Sequence, residues 1–285
     1  MLQKSYNDTP SLYLIPTPIG NLEDITIRSL KTLEMVDLIL CEDTRVTGNL
    51  LHKYDIKKKL VSCHEHNETK VRESVVNHLK EGKNIGLVTD AGTPIISDPG
   101  QVIVDYVVTH GFNVIALPGA TAFVPALIAS GIDNTPFLFY GFLNAKDSKQ
   151  KKELESLKNN KYCTIFYEAP HRLIKTLENI LEVFGNRKIS ISREISKLYE
   201  EIHRGTLEEL LKEEIVLKGE FVLVVEGNKE IEDFSFIGII EHIKLYLDDE
   251  MSEKDAIKKV AKERKVAKSI IYKEYIDEKT RRGDR

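Results

Sequence analysis

The 285 residues include only three cysteines, Cys41, Cys63 and Cys163, odd in number and scattered along the chain. That argues against a disulfide framework, and with no C-x-x-C pair the three are expected to be reduced thiols serving as small core residues. No apolar run approaches the ~20 residues that a membrane span requires, so no membrane span is expected. The opening MLQKSYNDTP has neither the basic start, nor the apolar stretch, nor the small-residue cleavage site of a secretory signal, and a cytoplasmic location is the corresponding expectation. No repeat of solenoid length is visible. G-x-G-x-x-G and G-x-x-x-x-G-K-[ST] are both missing, which removes support from dinucleotide and nucleoside triphosphate ligands.

What is present is an ordinary globular composition, 41% hydrophobic and 30% charged, with a net charge of -4. A body so nearly balanced does not attract nucleic acid in bulk. The distribution is less even. Residues 194–250 are rich in Glu and Asp, whereas the stretch from Glu253 carries Lys254, Lys258, Lys259, Lys262, Arg264 and further bases against fewer acids. A basic tail of this kind points to an anionic partner, with a solvated helical face as the structural alternative.

Short β-rich runs alternate with helical patterns. SLYLI (11–15), DLILC (37–41), KLVS (59–62), NIGLVTD (84–90) and NVIALP (113–118) read as buried strands bounded by turn residues. Val71, Val75 and Leu79 recur at helical spacing before Gly82, and VIVDYVVTHG ends a second helix at Gly111. Such alternation predicts a largely parallel sheet covered on both faces. After PGATAFVPALIASG the pattern resumes with strands FLFYGF, CTIFYE, KISISRE and EFVLVVEG and helices near 149–159, 171–184 and 206–215. KDSKQKK (146–152) reads as a loop entering a helix. Near the end, SEKD (252–255) has the form of a capping box, and Ala256, Ile257, Val260 and Ala261 line one face before a break near Lys265. Ala267 to Ile276 forms a second amphipathic segment, so the pair reads as a helix-turn-helix or a packing appendage. The expected organisation is two α/β domains, 1–118 and 119–229, followed by a helical segment over 230–285.

In an open α/β sheet, ligands bind beyond the carboxyl ends of the strands. Four candidate loops lie there: PTPIGN, CEDTR, DAGTPIISDPG and PGATA. A phosphate site wants glycine-rich nests and often Lys or Arg, yet these loops offer Glu42, Asp43, Asp90 and Asp98. A ligand with apolar and cationic parts and no phosphate fits better, with Ile95 and Ile96 as an apolar wall. Helix capping and loop-closing hydrogen bonds are the structural alternative for Asp90 and Asp98.

The runs LIPTPIGNLEDITIRSL, CEDTR, SCHEHNE, DAGTPIISDPG, LPGATAFVPALIASG, FYEAPHRL and SREISKLYEEIHRG, taken in order, resemble the tetrapyrrole methylase superfamily. Within it they resemble the branch that 2'-O-methylates a cytidine of small-subunit ribosomal RNA, and the likeness covers about Leu12 to Gly227. The resemblance implies two α/β domains with S-adenosyl-L-methionine (SAM) in the cleft between them, usually in a homodimer. It implies 16S rRNA or the assembled small ribosomal subunit as partner. On the same ground, cofactor contacts fall on Pro18, Ile19 and Gly20, on Asp90 and Gly92, Thr93, Pro94, Ile95 and Ile96, on Thr121 and Ala122, and on Tyr167. Many relatives that methylate corrin rings carry G-D-P where this chain has Gly92-Thr93-Pro94, so the acidic contact must move to Asp90 or be lost.

Methyl transfer from a sulfonium needs alignment above all, but a ribose hydroxyl is a poor nucleophile until its proton is taken or its oxygen polarised. The candidates for that work lie in polar loops: Glu42, Asp43 and Arg45; Glu168, His171 and Arg172; Arg193, Glu194 and Lys197. Carboxylates would serve as base and cations would hold phosphates or developing negative charge. Buried Arg–Glu pairing, above all Arg193 with Glu194, is the structural alternative. His64-Glu65-His66 is not H-E-x-x-H, and no metal is expected. Two other functions remain open, a corrin- or siroheme-type methylase and a non-enzymatic RNA-binding factor on a methylase scaffold.

Overall fold

The structure, a computed structural model, describes residues 3–5, 8–64, 66–229, 237–249, 251–264, 266–281 and 283, with only the backbone of Arg281. The expected capping residues and apolar face near the end lie inside this set; Glu65 of HEHNE, the 229/230 boundary and the break at Lys265 touch residues outside it. Residues 1–227 form one compact unit and 228–285 a second.

In the first unit, β1 (Ser11–Leu14), β2 (Leu38–Cys41), β3 (Lys59–Ser62), β4 (Ile85–Leu87) and β5 (Asn113–Ala116) form an all-parallel sheet in the order β3-β2-β4-β1-β5. Alternation along the strands sends side chains to both faces. Leu38 and Leu40 join Leu12, Ile85 and Leu87 on one face, and Ile39 and Cys41 join Ile15 and Ile115 on the other. The connecting helices are α1 (Ile27–Met35), α2 (Thr44–Lys53), α3 (Glu68–Lys80) and α4 (Gln101–Thr109). α3 and α4 cover the first face through Val75, Val76, Leu79, Ile103 and Val107; α1 and α2 cover the second through Leu33 and Leu51. Side-chain caps start two of them. Thr26 Oγ1 accepts the Ser29 N–H at 2.9 Å and Asp43 Oδ1 accepts the Arg45 N–H at 2.8 Å.

The second sheet is built from β6 (Phe137–Phe142), β7 (Cys163–Glu168), β8 (Lys188–Arg193), β9 (Glu201–Thr206) and β10 (Phe221–Val225), in the order β6-β7-β10-β8-β9. Only β6 and β7 run parallel. Helices α6 (Asp147–Leu157) and α7 (Leu173–Phe184) and the single turn α8 (Leu207–Leu210) cover one face, packing Leu154, Leu177 and Ile180 with Phe166, Ile191 and Leu223. Helix α5 (Phe123–Ala129) covers the other, with Ala126 and Leu127 packed with Ile165, Val222 and Val224. Three local expectations are corrected. KDSKQKK is not a loop, because α6 already begins at Asp147 and buries Gln150. The helix expected over 206–215 shrinks to one turn, capped by a reciprocal Thr206–Glu209 box. EIHRGT (201–206) is the edge strand β9, which the periodicity did not single out. All three cysteines are buried and unpaired.

The second unit contains three helices among its described residues, α9 (Ile239–Asp248), α10 (Glu253–Glu263) and α11 (Lys268–Arg281). Ala256, Ile257, Val260 and Ala261 of α10 pack with Ile243 of α9 and Ile271 of α11 around a small core of their own. Ser252 caps α10, its Oγ accepting the Asp255 N–H at 3.3 Å.

Candidate active site

Because the first sheet is all-parallel, the loops that follow β1, β2, β4 and β5 emerge at one end. Backbone bonds then brace them. The Thr17 N–H donates to Gly92 O at 2.9 Å and the Gly92 N–H returns to Thr17 O at 3.1 Å. The Thr17 hydroxyl donates to Thr89 O at 3.1 Å and the Thr93 hydroxyl to Ala120 O at 2.9 Å. Gly92 is buried at φ +88°, and a Cβ there would come within 3.2 Å of Ile19 Cγ2. Gly119 has no such φ but meets Pro16, into whose ring a Cβ would collide. Both positions need glycine, one for conformation and one for close approach.

Above these tips lies a cavity of about 410 Å3, within the size range of small-molecule sites. The first sheet's loops contribute Ile19, Asp90, Gly92, Thr93, Ile96, Ser97, Asp98, Thr121 and Ala122. The second sheet's side contributes Phe142, Tyr167, Glu168, Ile195 and Gly219–Val222. A smaller hollow of about 200 Å3 is lined by Pro18, Gly20, Val46 and Lys53, and Asp90 belongs to both. The cofactor candidates therefore divide: Ile19, Asp90, Gly92, Thr93, Ile96, Thr121, Ala122 and Tyr167 meet in the large cavity, and Pro18 and Gly20 in the smaller. Pro94 is buried but lines neither. Ile95, at φ +76°, turns away and packs with the core of the first sheet. The apolar wall is made instead by Ile19, Ile96, Phe142 and Tyr167, the last two rings 5.5 Å apart.

Sequence reasoning named Asp98 among the loop acids suited to a cationic ligand but not among the cofactor contacts, and missed Phe142, Ile195 and Gly219–Val222. For Phe142, the position at the carboxyl end of an apolar strand was the one available signal. Nothing in KGEFV announced that β10 would enter the cavity by its first residues.

The electrostatics are one-sided. Among the described residues, no Lys, Arg or His lines the large cavity, whereas Asp90, Asp98, Glu168 and Glu220 do. Burial, seconded by the charges of Glu42 and Asp90, pushes the Asp98 carboxyl up to about 6. Burial and Asp90 also raise Glu42, which lines neither hollow. Burial pushes the Tyr167 phenol up to about 12. An anion would be repelled from this chamber and a cation drawn into it.

Most of the catalytic candidates are committed to partners. Asp43 caps α2 and pairs with the exposed Arg45 at 2.6 Å, bonds that hold its carboxyl down at about 2. Glu168, 2% exposed, accepts from Arg172 Nε at 2.8 Å, the Ala169 N–H at 2.7 Å and the Thr176 hydroxyl at 2.6 Å. Arg193 donates to Lys218 O at 2.8 Å and pairs with Glu201 at 3.0 Å. Glu194 instead takes Lys197 Nζ at 2.8 Å. The Arg193–Glu194 pairing held as the structural alternative is not formed within the chain, because Arg193 ends a strand and Glu194 leaves it at φ +52°, so the two side chains diverge. Burial pushes Glu194 up, but the bonds from Lys197 and the Glu220 N–H outweigh it and leave its carboxyl below its usual value. The stem of Lys197 lies over Gly20, and the Ser196 hydroxyl donates to Asp24, so this loop closes on the β1 loop. His171 is exposed in the turn before α7. His64 and His66 have rings 6.0 Å apart, and no group of three His, Cys, Asp or Glu able to hold a metal occurs among the described residues.

A parallel sheet joined to a mixed one, with a cation-accepting chamber at the strand tips, defines a class. The chain belongs to the tetrapyrrole (corrin/porphyrin) methylases, whose family model matches residues 11–211. It is 48% identical over 284 residues to Ribosomal RNA small subunit methyltransferase I of Bacillus subtilis (strain 168), covering 96% of this chain and 97% of that protein. The protein of the same name from Escherichia coli O157:H7 is 41% identical over 276 residues, covering 95% and 96%. Among solved structures, the fold is shared with uroporphyrin-III-C-methyltransferase from Thermus thermophilus, with a TM-score of 0.55, 21% identity and coverage of 76% and 94%. A cobalt precorrin-4 methyltransferase shares it at a TM-score of 0.54, 19% identity and coverage of 75% and 94%.

Proposed function

We propose that this chain is a SAM-dependent RNA methyltransferase that places a methyl group on the ribose 2'-hydroxyl of a cytidine in 16S rRNA. The observation that carries the reading is the cavity of a methylase fold, lined by acids and by no Lys, Arg or His among the described residues, supported by the names of relatives that match nearly the whole chain. SAM supplies a methyl group on a sulfonium cation. Asp90 and Asp98 suit its positive groups, and Ile19, Ile96, Phe142 and Tyr167 suit its base and aliphatic parts. The backbone of Gly92, Thr121 and Ala122 forms the floor on which it would be aligned, so the residues present fit the cofactor. In this reading the cofactor would lie between a domain over 1–118 and a domain over 119–229, each carrying one of the two sheets.

The test is incubation of the protein with methyl-labelled SAM and either naked 16S rRNA or assembled small subunits. Label recovered in an alkali-resistant dinucleotide is the expected result, because a methylated 2'-hydroxyl cannot assist backbone cleavage. Heat of binding with ATP or NAD and none with SAM would overturn the proposal. So would label transferred to a tetrapyrrole and not to RNA.

RNA contact is assigned to the basic end of the chain. Lys254, Lys258 and Lys262 of α10 are exposed and follow one another at i, i+4 spacing, which aligns them on a single helix face. Replacing all three by Ala is expected to leave SAM affinity unchanged and to weaken RNA methylation. The salt dependence of RNA binding should flatten by a log–log slope of about 2, since three phosphate contacts are lost. An unaltered slope would remove this face from the interface.

A homodimer is part of the same reading. α5 exposes Val124 and Ile128, and its Phe123 ring lies 6.2 Å from that of the exposed Phe137 of β6, apolar surface suited to a second copy. A single-chain mass by light scattering would refute it. A cytoplasmic location follows from the ribosomal substrate; no described helix is long and apolar enough to cross a membrane.

A further inference from the structure

Methyl transfer joins two substrates, so a chamber for the donor must open onto a place for the acceptor. The smaller hollow adjoins the large one, since Asp90 lines both. One wall is helix α2. Val46, Asn49, Leu50 and Lys53 line the hollow at i, i+3, i+4 and i+7, which puts them on a single helix face. Pro18 and Gly20, expected on the cofactor, lie with Leu22 on the facing β1 loop. Both ends are pinned. The Asp43 N–H donates to Asp90 Oδ1 at 3.2 Å, and the Tyr54 hydroxyl donates to Leu22 O at 2.8 Å.

The two hollows are opposite in chemistry. No Lys, Arg or His among the described residues lines the large one, whereas Lys53 lines the small one, and Arg45 precedes Asn49 and Lys53 on α2 at the same four-residue step. The side chains of Asn49 and Lys53 are exposed and hold no hydrogen-bond or ionic partner among the described residues, unlike Arg172, Arg193 and Lys197 near the chamber. Leu22 and Val46 present exposed apolar surface beside them. A cation, an amide that both donates and accepts, and an apolar wall match the three parts of a nucleotide: phosphate, base edge and base face. At about 200 Å3 the hollow falls below the ~300–1,000 Å3 of sites that enclose a whole ligand, so it suits one nucleotide of a longer chain and not a macrocycle.

We infer that the smaller hollow is the subsite of the acceptor cytidine, an inference that rests on the RNA methyltransferase reading above. Lys53 Nζ pairs with a phosphate of the strand, the Asn49 amide meets the N3 and N4 edge of cytosine, and Val46 and Leu50 lie against the face of the ring. The ribose then falls at the Asp90 boundary, where the two hollows meet and the methyl group crosses.

The test uses the full chain, with steady-state methylation of small subunits at saturating SAM, calorimetric SAM affinity, melting and light scattering. Val46→Trp fills the hollow from an exposed helix position and should cut methylation by on the order of 100-fold while leaving SAM affinity unchanged. Lys53→Glu should raise KM for small subunits about 10–100-fold, the loss of one charge-assisted contact, and Asn49→Ala roughly 2–10-fold. Lys80→Glu makes the same charge change at the end of α3, which covers the other face of the sheet, and should leave KM unaltered. Wild-type methylation by Val46→Trp overturns the inference, and so does weakened SAM binding in that variant, which would give the hollow to the cofactor. Activity lost together with the dimer mass gives this face to a second copy and equally overturns it. If Val46→Trp fails to fold, Lys53→Glu and Lys80→Glu decide, and equal KM values overturn the inference. A wild-type protein that methylates no ribose overturns instead the reading on which the inference rests.

Discussion

Glu168→Ala is expected to destabilise the 1–227 unit by about 3–5 kcal/mol, the usual result of removing one partner of a buried ion pair. The variant leaves the Arg172 guanidinium without its carboxylate and the Ala169 N–H and Thr176 hydroxyl without their acceptor. The loss spreads, because Thr176 accepts from Gln150 at 3.1 Å and Gln150 in turn accepts from Asn179. These three polar residues are buried between α6 and α7, where an unmet hydrogen bond has no water to replace it. For a unit of this size each kcal/mol shifts the melting temperature by about 2–4 °C, so a fall of roughly 10 °C is the readout. Changing Glu168 to Leu and Arg172 to Met together should recover much of it, since an apolar pair leaves no stranded charge. A Glu168→Ala protein that melts with the wild type yet has lost turnover would return Glu168 to a catalytic role.

Gly92→Val is expected to weaken SAM binding by on the order of 100-fold, with Gly82→Val as its counterpart. Both glycines have almost the same backbone angle, φ +88° and φ +87°, and a β-branched residue is strained at either. Their surroundings differ. A Cβ at Gly82 meets nothing within 4 Å, whereas at Gly92 it meets Ile19 Cγ2 at 3.2 Å and Ala120 O at 3.6 Å. Strain of about 1–3 kcal/mol is common to the two, but only at Gly92 is it relieved by moving the loops that floor the cavity. Gly82→Val should therefore lower the melting temperature and leave the calorimetric Kd for SAM unchanged. Equal affinities in both variants would show that the Thr17–Gly92 bracing does not set the site.

Most strands were legible because their residues are apolar on both faces. LILC, IGL and FVLVV are buried throughout. β9 was not legible. EIHRGT lies at the edge of its sheet, half-buried or exposed along its length, so it shows no alternation. α5 was hidden by Pro125, which reads as a breaker although it occupies the third helical position, where no backbone bond is lost. Within the site, the loops were found because strand tips collect ligands in any open α/β sheet. The partners were not. Glu168 with Arg172 and Glu194 with Lys197 carry the spacing of local ion pairs, yet the same residues read equally well as catalytic groups until burial and geometry are known. Ile95 and Ile96 are adjacent and chemically alike, and the left-handed φ of Ile95 accompanies its turn into the core while Ile96 lines the cavity.

That no Lys, Arg or His among the described residues lines the large cavity also bears on what leaves it. On the proposed reading, the chamber would hold before reaction a ligand whose sulfur is positive and afterwards one whose sulfur is neutral, so the attraction that favoured entry would no longer oppose departure. A wall of acids would then act as a one-way preference, holding the charged donor more strongly than its spent form.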